Sequence, residues 1–107
     1  MNCPSVEGIK SIITKHNLRL KPGITLMDND CCPLGALMVE KFGYEETERL
    51  RKVGAVTNIH PVVFLSDKLG ITVDEAWSVI RGFDQSGFGS EGSWYQLGRA
   101  CRELADN

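Results

Sequence analysis

The residues in this chain with the most chemistry to offer are Cys31, Cys32 and Pro33. Proline fits the first turn of a helix, so the pair of thiols falls at a helix N-terminus. There the positive end of the helix dipole lowers a thiol's pKa and favours the nucleophilic thiolate. A working nucleophile also needs a base and an oxyanion pocket. The two histidines, His16 and His60, are not placed beside Cys32 by any spacing in the sequence. Zinc calls for paired ligands such as C-x-x-C, and that spacing is absent. Cys31 and Cys32 are therefore read as small apolar side chains packed at a helix start. The four cysteines are read as reduced, with a Cys3–Cys101 bridge as the alternative if the termini meet.

A second set is Gly87-Phe88-Gly89-Ser90-Glu91-Gly92, which spells G-x-G-x-x-G. That fingerprint binds dinucleotides only between a buried strand and a helix. Here a helical pattern precedes it, so the match carries no dinucleotide site. Backbone amides leading into a last helix could still hold an anion, opposed by Glu91. Asp84, Ser86 and Gly89 also fall at positions one, three and six of a calcium loop. Phe88 and Tyr95 occupy its fifth and twelfth positions, where oxygen ligands are required. No metal ligand set or cofactor is expected. H-E-x-x-H, nucleophile-elbow and P-loop motifs are likewise absent, so catalytic residues are not assigned.

The clearest punctuation runs from His60 to Gly92. Pro61 opens a helix that Gly70 ends in a left-handed turn. Thr72 and Glu75 form a capping box for the next helix. Val73, Ala76, Trp77, Ile80 and Phe83 recur at steps of three and four, one apolar stripe with Trp77 as a core anchor. The Leu69-Gly70-Ile71-Thr72 turn resembles that of DNA-binding helix-turn-helix proteins. A recognition helix, however, presents its first turn to the DNA, and this one carries Asp74 and Glu75. The nucleic-acid reading therefore leans on Lys10, Lys15, Arg19, Lys21 and Arg81.

Those bases are unevenly spread. Between Gly8 and Met27 there are four bases and no acid, whereas Asp28 to Leu50 holds six acids against Lys41 and Arg49. The formal net charge of the 107 residues is −2. Such a chain lacks the cationic excess that drives non-specific binding to phosphates, so any nucleic-acid affinity is expected to be weak.

The remaining elements follow from periodicity. Ser5 caps a helix from Val6 to about His16, with Val6, Ile9, Ile12 and Ile13 inward. Leu18–Leu20 and Ile24–Leu26 flank Lys21-Pro22-Gly23, a turn that could close a two-strand ribbon near residues 18–26. Pro33 to Gly43 reads as a helix with Leu34, Leu37, Met38 and Phe42 on one face. Tyr44 to Lys52 places acids before bases, as a short exposed helix prefers, and Val53 to Ile59 reads as a linker. Ser93 caps a final helix bearing Trp94, Leu97, Cys101 and Leu104.

The expected fold is all-α or nearly so, five to six short helices around one core in a single domain of residues 1–107. A chain of this size hides about 65% of its extended surface on folding, enough for one core without staples. Its 42% hydrophobic and 24% charged residues are ordinary for a globular protein. The segment Met1–Glu7 lacks the regions of a secretory signal, and the longest apolar run, Pro33–Val39, is too short for a membrane span. A cytoplasmic location without membrane contact is expected.

Three functions fit. The first is a non-catalytic interaction protein that binds another protein through Asp84, Phe88, Glu91, Trp94 and Tyr95, with homo-oligomers as one form. The second is a DNA-binding regulator using the hairpin at 61–83. The third is a small-molecule or nucleotide binder with its pocket between the 84–92 loop and the Cys31–Cys32 helix start.

Overall fold

The computed structural model describes residues 1–56, 59–84 and 92–107. Among these are six helices and a three-strand sheet, in the order α1 (Val6–Lys15), β1 (Arg19–Leu20), β2 (Leu26–Met27), β3 (Asp30–Cys31), α2 (Pro33–Phe42), α3 (Tyr44–Val56), α4 (Pro61–Leu69), α5 (Val73–Asp84) and α6 (Ser93–Asp106). The expected mostly helical architecture is the one observed.

The organising element is α2. Every residue from Pro33 to Val39 is buried, so the helix is apolar on all sides rather than along one face. A helix of that kind must be enclosed, and α1, α3, α4 and α5 all pack against it. Its start is held by Cys32, whose Sγ accepts from the Gly35 amide at 3.4 Å. The main core joins Leu34, Leu37 and Met38 of α2 to Ile9, Leu65, Leu69, Val79, Phe83 and Leu97. A smaller cluster, Leu18, Leu26, Cys31, Ala36 and Val39, lies beneath the sheet.

The sheet corrects the expected ribbon. Residues 19–20 and 26–27 are strands but do not pair with each other; both pair with β3, in the order β1-β3-β2. β1 runs parallel to β3, with Arg19 opposite Asp30 and Leu20 opposite Cys31. β2 runs antiparallel, with Leu26 opposite Cys31 and Met27 opposite Asp30. The hairpin turn is Asp28-Asn29, at φ 51° and 73°. Two consecutive positive φ values are what a tight two-residue hairpin requires, and Asp and Asn tolerate them. Pro22-Gly23 only redirects the chain.

The α4–α5 hairpin forms as its residues dictate. Gly70 closes α4 at φ 73°. The Glu75 amide donates to Thr72 Oγ1 at 3.0 Å, and the Thr72 amide donates to Glu75 Oε1 at 2.8 Å. The inward stripe of α5 is displaced from the expected one. Ala76, Val79, Gly82 and Phe83 are buried, Val73 is exposed, and Trp77 is half-buried. The cause is α6. A Cβ on Gly82 would lie 2.3 Å from the Tyr95 carbonyl oxygen, and one on Gly98 2.2 Å from that of Val79. Paired glycines draw the two backbones together, so α5 turns its 79–82–83 side, not its Trp77 side, toward α6.

Two boundaries also differ. The linker expected from Val53 is helical to Val56, because α3 continues along α4. The N-cap of α6 is Gly92 rather than Ser93, with no side-chain cap, and Ser93 is the first helical residue.

Candidate functional site

Three helices and the turn after β1 leave a cavity of about 260 Å³ between them. One wall is the 23–27 segment, Gly23 through Met27. Its position is set by α2: the Cys32 amide donates to the Thr25 carbonyl at 3.3 Å. Gly35 makes room, since a Cβ there would stand 2.0 Å from the Thr25 oxygen. Met38 of α2 contributes to the lining, and α3 adds Thr47, Arg51 and Gly54. Their spacing of four and three places these on one helical face. From α4 come Pro61, Phe64 and Leu65, with Ile59 just before the helix. The Phe64 ring lies against Gly54, 3.1 Å from where a Cβ would be.

The walls are mostly apolar, and the polar groups among them differ in how they are satisfied. Thr47 is buried, and its hydroxyl donates to the Gly43 carbonyl at 2.7 Å. Arg51 donates from Nη2 to Glu48 Oε1 at a long 3.4 Å, while Lys52 sits 3.8 Å from Glu48 Oε2. The Nε of Arg51 is buried, and no group among the described residues accepts from it. Among the described residues it is the one buried side-chain polar atom so placed. A buried donor left unsatisfied costs about 1–3 kcal/mol, more when it is charged.

This cavity was not anticipated. Tyr44–Lys52 reads from sequence as a solvated charged helix, and Thr47 and Gly54 are too unassuming to mark a wall. The expected pocket, between the 84–92 loop and the start of α2, falls partly outside the described residues; the present cavity meets α2 at Met38. Residues 85–91, including Phe88 and Glu91, lie outside the described residues. Asp84 is the exposed last residue of α5, and Tyr95 is half-buried. Trp94, expected at a binding surface, is only 7% exposed and belongs to the main core.

The bases of the nucleic-acid reading sit largely on ion pairs. Lys15 Nζ is 3.1 Å from Glu40, Arg19 Nε 3.0 Å from Asp30, and Lys21 Nζ 4.0 Å from Asp30. His16 Nε2 is also 2.9 Å from Glu40, whose carboxyl these bonds, first to His16 and then to Lys15, hold below the usual range. Part of the uneven charge is thus matched internally, Lys15, Arg19 and Lys21 of the basic segment against Glu40 and Asp30 of the acidic one. Arg81 lies over the Trp77 ring at 5.8 Å, and the His60 ring is tilted against it at 5.1 Å.

The thiols are free and, apart from half-buried Cys3, buried. Burial pushes Cys31 and Cys101 up to about 12, with neighbouring thiols adding to the effect. Cys32 is raised by burial to about 11 even though the Gly35 amide donates to its sulfur and works the other way. At this helix start desolvation outweighs the dipole. Among the described residues no three His, Cys, Asp or Glu side chains are grouped to hold a metal ion. No helix among them is long and apolar enough to cross a membrane.

No protein-family model, curated protein or solved structure matches this chain.

Proposed function

We propose that the chain is a non-catalytic binding protein that takes a small, mainly apolar ligand into the cavity bounded by residues 23–27, α2, α3 and α4. The supporting observation is the cavity itself, a concave apolar space with few polar groups, close to the small end of the usual ligand range of about 300–1,000 Å³. Its walls come from four elements fixed by the core, so the site is built before a ligand arrives. Burying apolar surface supplies the affinity, at about 25 cal/mol per Å² before the cost of association. The alternative of a protein contact centred on residues 84–95 has to do without Trp94, which is spent in the core. The DNA alternative has to draw on bases already paired with Glu40 and Asp30.

The test is titration with 1-hexanol followed by methyl resonances. Shifts should concentrate at Met27, Met38 and Leu65, and the melting temperature should rise with alcohol concentration as linkage demands. Ile24→Trp, which enlarges a half-buried wall residue, should abolish both effects. Shifts scattered over the surface, or binding that survives Ile24→Trp, would rule the cavity out.

A further inference from the structure

We infer that the ligand of this cavity is an amphipathic monocarboxylate, its apolar body among Met38, Phe64 and Leu65 and its carboxylate on Arg51. The inference rests on the binding role proposed above and adds the charge of the ligand. Three observations support it. Arg51 lines the cavity, and its buried Nε has no acceptor among the described residues. Among the described residues its Nη2 is held by the 3.4 Å contact to Glu48, a contact an incoming acid can exchange. Lys52, 3.8 Å from the other Glu48 oxygen, keeps that carboxylate neutralised when Arg51 turns to a ligand. Guanidinium groups pair with planar carboxylates through two parallel N–H bonds, and Nε with one terminal nitrogen makes such a fork.

The same arrangement sets size and charge. The cavity has room for about nine water-sized groups, at roughly 30 Å³ each. That suits a short branched or linear acid, or one with a single ring. A planar carboxylate matches the Nε–Nη2 fork of the guanidinium lining the cavity, whereas a tetrahedral phosphate dianion leaves a further charged oxygen among apolar walls. The ligand is therefore a carboxylate rather than a phosphate ester.

The probes are hexanoate, 1-hexanol and hexyl phosphate, titrated at neutral pH by calorimetry. Hexanoate should bind about tenfold or more tighter than 1-hexanol, the ratio of a hydrogen bond to a charged group, and tighter than hexyl phosphate. Arg51→Met should remove the preference, bringing the affinities for hexanoate and 1-hexanol to parity. Glu48→Gln, a substitution at a half-exposed position on α3, should tighten hexanoate severalfold and leave 1-hexanol unchanged. It keeps the test decisive if Arg51→Met fails to fold. Equal affinity for hexanoate and 1-hexanol in the parent overturns the inference while the binding role stands, as does a preference indifferent to both variants. Tighter binding of hexyl phosphate overturns the carboxylate assignment. Absence of 1-hexanol binding takes down the binding role and this inference with it.

Discussion

The Thr25 carbonyl oxygen and the α-carbon of Gly35 are in a contact that leaves no space for a side chain, a would-be Cβ falling 2.0 Å from the oxygen. A backbone carbonyl cannot swing aside as a flexible side chain does. Gly35→Ala should therefore destabilise the fold by about 1–3 kcal/mol, the usual cost of overpacking, although alanine is the better helix former by about 1 kcal/mol. The same change should weaken 1-hexanol binding, because Thr25 is part of the cavity wall. Urea melts and a repeat titration check the two halves. A variant as stable as the parent would mean that the 23–27 segment is not seated on α2.

The reciprocal hydrogen bonds of Thr72 and Glu75 give the α4–α5 turn a separable contribution. Thr72→Ala should cost about 1 kcal/mol, read as a lower midpoint at unchanged slope in urea. The Glu75 carboxyl is held below its usual range, first by the Thr72 amide. Its contribution is present above the ordinary carboxylate range and is lost as pH falls through the lowered value. The penalty of Glu75→Ala should accordingly shrink in acid, while that of Thr72→Ala, which keeps the residue-72 amide, should change little.

Trp77 and Phe83 lie on one helix with different surroundings. Phe83 is 1% exposed and Trp77 only half-buried. Phe83→Ala should cost about 3–5 kcal/mol, and Trp77→Ala clearly less despite the larger side chain. Side-by-side denaturation of the two variants measures the order. A reversed order would place the indole, not the phenyl ring, at the centre of the helix contact.

The buried thiols set an alkaline limit on stability. In the unfolded chain they ionise near the ordinary value of 9.0; in the folded chain Cys32 holds its proton to about 11, and Cys31 and Cys101 to about 12. Between those values the unfolded state has released protons that the folded state still binds, so stability falls as pH rises. The slope reaches at most about 1.4 kcal/mol per pH unit for each thiol. Urea melts from about pH 8 to about pH 10.5 should show the decline, and Cys101→Ala should flatten it. Thiol reagents at neutral pH should label the folded protein far more slowly than the unfolded chain.

Local rules were legible wherever a backbone group has one good solution. Ser5, Pro33, Gly43, Pro61, Gly70 and the Thr72–Glu75 box each marked a helix end that the structure keeps. What the sequence hid depends on partners distant along the chain. Asp28-Asn29 reads as a polar break until β2 and β3 are seen to pair across it. Gly82 and Gly98 carry no periodic signal, yet they decide which side of α5 is buried. The cavity was the least legible feature. Arg51 is one of several charges on α3, and only the fold separates its buried Nε from the solvent-facing pair of Arg49 with Glu46.

The glycine contact between α5 and α6 has a kinetic side. These two helices pack more extensively than any other pair, and they are neighbours along the chain. Contacts between nearby segments close at small entropic cost, so this pair belongs to the early part of folding. The cavity walls depend on more remote pairings, such as α2 with α4 and the 23–27 segment facing Phe64 and Leu65, and so come late. In the native state sparsely packed segments open at lower free energy, and β2 packs far less extensively than α5 does against α6. Amides of the 23–27 segment should thus exchange with solvent through fluctuations that leave α5 and α6 protected. Such fluctuations give a ligand a way in and out without global unfolding.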